Sequence, residues 1–196
     1  MALTLIKEDG TGKADANAYA SVTDGDAYHE GHLYATAWTA ATVDRKSAAL
    51  VMATRLIDGL FQFDGARANA AQALQWPRLE CPDPDDGGSV VTLIWWRGDR
   101  VVASNVVPKA VVAATCEMAR ELLLVDRTEA PAGEGLAAAR NTQYHSEGGI
   151  IDSTSTGTDY SKADTRPILS HVAQAMLSKF GAPVSGGSGA VRLVRT

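Results

Sequence analysis

Apolar positions along the chain fall into blocks with different periods, and these blocks predict the elements. The clearest runs from Ser47 to Phe61, where Ala49, Met52, Ala53, Leu56, Ile57, Leu60 and Phe61 recur at three- and four-residue spacing, with Lys46, Arg55 and Asp58 opposite. That is the period of an amphipathic helix, and Thr42 or Asp44 can cap its start. A second stripe, Val111, Ala114, Met118, Leu122 and Val125, predicts a helix from Pro108 to about Leu124, with Glu117, Arg120 and Glu121 facing away. A third, Ile168, Val172, Ala175, Met176 and Phe180, predicts a helix from Arg166 or Pro167 to Phe180, closed by Gly181. Ser21 and Asp24 have capping-box spacing, so a short helix should run from Val22 to His29 or Glu30 and stop at Gly31. Ala68 to Leu74 is alanine-rich and is expected to be helical up to Trp76-Pro77.

Between these blocks the pattern changes. Leu3 to Ile6 reads as a short strand, followed by a turn over Glu8-Asp9-Gly10-Thr11-Gly12. Val90 to Trp96 and Val101 to Ala103 are β-branched or aromatic and flank Arg97-Gly98-Asp99-Arg100, a hairpin arm at about 89–104. Ala137 to Tyr144 and Ile150 to Ser155, around Ser146-Glu147-Gly148-Gly149, predict a second hairpin at about 136–156. After Gly181, Gly186-Gly187-Ser188-Gly189 reads as a flexible linker and residues 190–196 as a basic strand. The fold class expected is therefore mainly α. It is a bundle of four to five helices over residues 1–181 with one or two hairpin arms, then an extended tail over 182–196.

Composition narrows the function. In 196 residues, 18 basic against 23 acidic side chains give a net charge of −5, which disfavours a broad phosphate-binding surface. No apolar run approaches the ~20 residues of a membrane span, and the opening stretch is too short for a signal peptide. Two cysteines cannot build a disulfide framework or a four-ligand zinc site. The expectation is a soluble cytoplasmic protein without cofactor or metal.

Chemical motifs fail one by one. Gly10-Thr11-Gly12-Lys13 lacks the upstream glycine and downstream hydroxyl of a phosphate loop, because Lys7 and Ala14 stand at those positions. His29 and His32 have metal-pair spacing, but no Cys pattern or His-Glu-x-x-His motif accompanies them. There is no Gly-x-Ser-x-Gly elbow, and Cys116 reads as a small buried thiol. Asp83 to Gly87 lacks the alternation of a calcium loop, and Arg97-Gly98-Asp99 reads as a turn. No catalytic residue is nominated.

Two features point to contact with other macromolecules. Trp38 and Trp76 read as core residues, whereas Trp95 and Trp96 place a ring on each face of one strand, with Arg97 and Arg100 beside them. An arm of that kind needs a neighbouring polypeptide to cover it. The tail residues Val191, Arg192, Leu193, Val194 and Arg195 form a segment that can add to another protein's sheet edge, against the ordinary reading of a disordered terminus.

The series Glu8 to Gly12, Ala16-Asn17-Ala18-Tyr19-Ala20-Ser21, Ala53-Thr54-Arg55-Leu56-Ile57-Asp58, Gln72 to Arg78, Val107-Pro108-Lys109-Ala110-Val111 and Arg192-Leu193-Val194-Arg195 resembles the head–tail connector, or adaptor, proteins of tailed bacteriophages. Sequences of this kind also carry the label of DnaT-like single-strand DNA-binding proteins. The resemblance covers most of the chain and departs from it at Glu80 to Ala103. It implies a non-enzymatic ring of twelve copies in the virion neck, assembled in the host bacterial cytoplasm. The ring would sit beneath the portal protein, extend the DNA channel and meet a downstream tail or stopper protein. Phage DNA would pass through without sequence-specific binding, and no membrane would be involved. On this reading the tail docks on the portal, and Trp95, Trp96, Arg97 and Arg100 form a subunit or tail interface. The alternative is a DnaT-like single-strand DNA-binding module.

Overall fold

The computed structural model describes residues 3–84, 101–129, 136–142, 155–160 and 167–184. It divides into two compact units, residues 1–126 with 169–196, and residues 127–168. Within the first lie α1 (Val22–Glu30), α2 (Thr36–Thr39), α3 (Val43–Leu60), β1 (Phe61–Phe63), β2 (Ala66–Arg67), β3 (Arg78–Leu79), α4 (Lys109–Leu124), α5 (His171–Leu177), a 3-10 turn (Ser178–Phe180) and β6 (Gly181–Pro183). Within the second, β4 (Leu136–Thr142) pairs antiparallel with β5 (Ser155–Tyr160). The protein is mainly α, as expected.

The caps behave as the sequence implies. At α1 the Asp24 N–H donates to Ser21 Oγ (3.2 Å) while Ser21 N–H donates to Asp24 Oδ2 (2.7 Å), and Thr42 Oγ1 caps α3. The core forms where α3, α4 and α5 pack together: Leu50, Ala53 and Ile57 meet Val111, Ala114 and Met118 of α4 and Ala173 and Leu177 of α5. Trp38 and Trp76 are buried in it, as predicted. Trp76 is seated edge-on between Phe63 and Phe180.

Several expectations are corrected. Leu3–Ile6 is not a strand; the segment meets residues 17–18 through backbone bonds to the Ile6 carbonyl and an isolated parallel bridge of Lys7 to Ala18. Ala68 to Leu74 is not helical. Its alanines are mostly exposed and give no stripe to bury, and the backbone is held instead by the buried Gln72 side chain. Gln72 Oε1 accepts from Asn69 N–H (2.8 Å), and its Nε2 donates to the carbonyls of Leu74 (2.8 Å) and Pro77 (3.0 Å). The last helix begins at His171, because Ser170 caps it. Its buried face is therefore Leu169, Ala173 and Leu177, while Val172 and Ala175 lie outside. On α4, Glu117 and Arg120 are buried rather than facing away, and Val125 is exposed. The second hairpin keeps its first strand, but its partner is Ser155–Tyr160, later in the chain than Ile150–Ser155. Ala182 and Pro183, read as the start of the linker, pair with β1 as part of β6: Phe61 opposes Pro183 and Phe63 opposes Gly181. The tryptophan hairpin falls largely outside the described residues; its end remains visible as Val101 bridged to Pro82.

The Glu8 to Lys13 turn is closed from within. Glu8 is fully buried, and its carboxylate accepts N–H bonds from Gly10 (2.8 Å), Gly12 (2.9 Å) and Lys13 (2.8 Å). These backbone donors form the kind of concave nest that binds anions, and the chain's own carboxylate fills it. Gly10 has φ of +100°, and a Cβ there would lie 2.0 Å from the Asn105 carbonyl oxygen, so no other residue fits.

Candidate interaction surface

The described residues offer little to a catalyst. Burial pushes the Cys116 thiol up to about 12, so it is not a thiolate nucleophile at neutral pH. A cleft of about 450 Å³ lies over Asp26, Glu30, His29 and Trp38. Its Asp26 carboxylate is engaged by Lys46 (2.7 Å) and by the Trp38 indole N–H (2.8 Å), which hold its pKa below the usual carboxylate value. Burial raises the Asp58 carboxyl to about 6, above the usual carboxylate range. It accepts from the Tyr19 hydroxyl and from Gln75 N–H (3.1 Å), while the Tyr19 oxygen accepts from Gln75 N–H (3.0 Å) and Trp76 N–H (3.2 Å). Such a pair can mark an active site. Here its polar atoms are used to lock the Gln75–Trp76 corner onto α3. Among the described residues no group of three or more His, Cys, Asp or Glu is placed to hold a metal ion, and no helix is long and apolar enough to cross a membrane.

Several cations are engaged by the protein itself, the lysines in ion pairs at the surface. Lys7 pairs with Asp24 (2.7 Å), Lys13 with Asp9 (2.8 Å) and Lys46 with Asp26 (2.7 Å). Arg78 is buried and donates to the carbonyls of Asp64 (2.6 Å), Phe63 (3.1 Å), Gly65 (2.6 Å) and Gln75 (3.1 Å). Within the second unit, Arg127 donates to the carbonyls of Ile168 (2.9 Å) and Pro167 (2.7 Å).

What the first unit does present is a pair of large apolar side chains between α1 and α2. Leu33 is 91% exposed and Tyr34 77%. The loop that carries them is fixed from below. Tyr34 N–H donates to His32 Nδ1 (3.0 Å), which leaves the His32 Nε2–H facing Glu117 Oε2 (3.6 Å). Glu117 is held in turn by Arg120 (2.6 Å), which also binds Glu121 (2.6 Å). On the inner side of the same turn, His29 Nε2–H donates to the Cys116 carbonyl (3.2 Å), and burial lowers the pKa of its imidazole. Thus α1 ends against the middle of α4 through two histidines, and the pair reads as helix-end packing, not as a metal site.

A second surface feature lies at the start of α4. An open groove of about 610 Å³ is walled by Val101, Val102, Ala103, Pro108 and Phe180, with Lys109 and Lys179 at its rim and Asp83 beside them.

Of the residues nominated from sequence, Trp95, Trp96, Arg97, Arg100 and the tail Val191, Arg192, Leu193, Val194 and Arg195 lie outside the described residues. Sequence reasoning missed Leu33, Tyr34 and the groove. The available signal was two adjacent bulky apolar residues just after a helix-stopping glycine, where no periodicity could assign them to a core.

A family model described as "Putative DnaT-like ssDNA binding protein" matches residues 3–196. No curated protein and no solved structure matches the chain.

Proposed function

The chain belongs to the family described as putative DnaT-like ssDNA binding protein, and from that premise we propose that it is a non-enzymatic scaffold for contact with other polypeptides. In its finer form the proposal is a head–tail connector that assembles as a ring under a phage portal. One observation carries the preference for protein contact. Among the described residues, Lys7, Lys13, Lys46, Arg78 and Arg120 are engaged by the protein's own carboxylates and carbonyls, and both described tryptophans are buried, so the exposed Arg45, Arg55 and Lys109 have no surface tryptophan among the described residues to work with. A single-strand binder needs these two residue types at its surface, as cations tracking phosphates and rings stacking bases. The motifs behind the connector resemblance support a scaffold in the same way. Glu8 closes a turn, Trp76 and Arg78 knit the core, and Pro108 starts α4.

The family description favours the second reading, single-strand DNA binding, over the connector, and Tyr34 is an exposed ring on which a base could stack. Two measurements separate the readings. A labelled single-stranded oligonucleotide, followed by anisotropy over a salt series, is expected to show no saturable binding at physiological salt. Tight binding that weakens steeply with salt would replace the connector reading with the DNA one. The mass of the full chain, alone and mixed with portal protein, is expected to show a ring that joins the portal.

A further inference from the structure

We propose that the Leu33–Tyr34 knob of one copy seats in the groove at the start of α4 of a second copy, making a head-to-tail contact. This deepens the assembly reading above and rests on it. The knob is a built feature: its loop is held by the Tyr34 N–H bond to His32, and His32 stands on the buried Glu117–Arg120 pair. Two bulky apolar side chains are thereby kept in water, an arrangement that a partner's apolar surface relieves. The groove offers such a surface in Val101, Val102, Ala103, Pro108 and Phe180, within a mixed lining of about 610 Å³.

Position decides which copy supplies the groove. The knob stands over Glu117 and Arg120, whereas the groove ends at Pro108, Lys109 and Ala110. From Lys109 to Glu117 the helix rises about 12 Å at 1.5 Å per residue, which keeps a knob out of its own groove. A contact between unlike patches of identical copies is heterologous, and it closes into a ring when its rotation allows. Charge agrees with the pairing. The exposed Glu30 lies three residues before Leu33, while Lys109 and Lys179 line the groove, with Asp83 the one acid among its lining residues.

The test is the mass of the full chain by sedimentation across a concentration series, using two variants with a circular-dichroism check of folding. Leu33→Ser/Tyr34→Ser removes the knob, and Ala103→Trp fills the groove; all three positions are exposed, so the core is untouched. Wild type is expected to exceed the single-chain 20.6 kDa. Each variant alone is expected to stay at that mass, and an equimolar mixture to stop at two chains, because one intact knob then meets one intact groove. A knob variant that assembles like wild type overturns the proposal and leaves the connector reading standing. A wild-type chain that stays monomeric overturns both.

Discussion

Replacing Glu8 with glutamine is expected to destabilise the first unit by about 2–4 kcal/mol. Two of the three backbone donors, Gly10 and Gly12, bond one carboxylate oxygen, and Lys13 bonds the other. If the amide oxygen takes the first place, two charge-assisted bonds become neutral ones, losing roughly 1 kcal/mol each. The amide nitrogen then faces the Lys13 N–H, donor against donor, which costs about 1–3 kcal/mol for a buried unsatisfied group. Relief of a buried charge offsets part of this sum. The assay is urea unfolding followed by far-ultraviolet circular dichroism, with the thermal midpoint expected to fall by about 2–4 °C for each kcal/mol. Asp9→Asn, which alters only the exposed contacts of Asp9 with Lys13 and Thr11, is the matched control and is expected to leave the midpoint near wild type. If Glu8→Gln unfolds within about 0.5 kcal/mol of wild type, the nest is not closed by a carboxylate and the reasoning fails.

Two further predictions concern pH. Burial raises the Asp58 carboxyl from the 3.8 of a free aspartate to about 6 in the folded protein, so its proton is held more tightly when folded. Stability from this group is present below pH 3.8 and is lost as pH rises through about 6, by about 3 kcal/mol; comparing wild type with Asp58→Asn between pH 3.5 and 7 should show the wild type alone losing this amount, and an equal pH dependence in both would refute it. His29 is shifted the other way, below 6.5, so its contribution is present above 6.5 and declines as pH falls below it. Its imidazole resonances are expected to titrate below 6.5 in the folded protein, and a midpoint at or above 6.5 would contradict the buried geometry.

Helices α1, α3 and α4 were legible because cap and stripe agree at each: Ser21 with Asp24, Thr42 with Ala49–Ile57, Pro108 with Val111–Met118. Where only one signal was present, the reading slipped. Ala68–Leu74 had propensity without a stripe, and a single buried glutamine outweighed it. The face of α5 turned because Ser170 caps it, so the helix starts at His171, four or five residues past the expected start. Glu117 and Arg120 were placed outside because charges usually are, yet at i, i+3 spacing they neutralise each other and can be buried together. The pairing of β1 with β6 joins residues about 120 positions apart, a relation that no local window carries. The knob was silent for a similar reason, since its meaning depends on what α4 places beneath it.

The chain leaves the first unit after Asp126 and returns to it at Leu169, while α4 and α5 pack directly on each other. The intervening stretch is thus a parenthesis in the covalent order of the protein. Because α4 and α5 hold each other directly, the covalent path between them does not have to carry their packing.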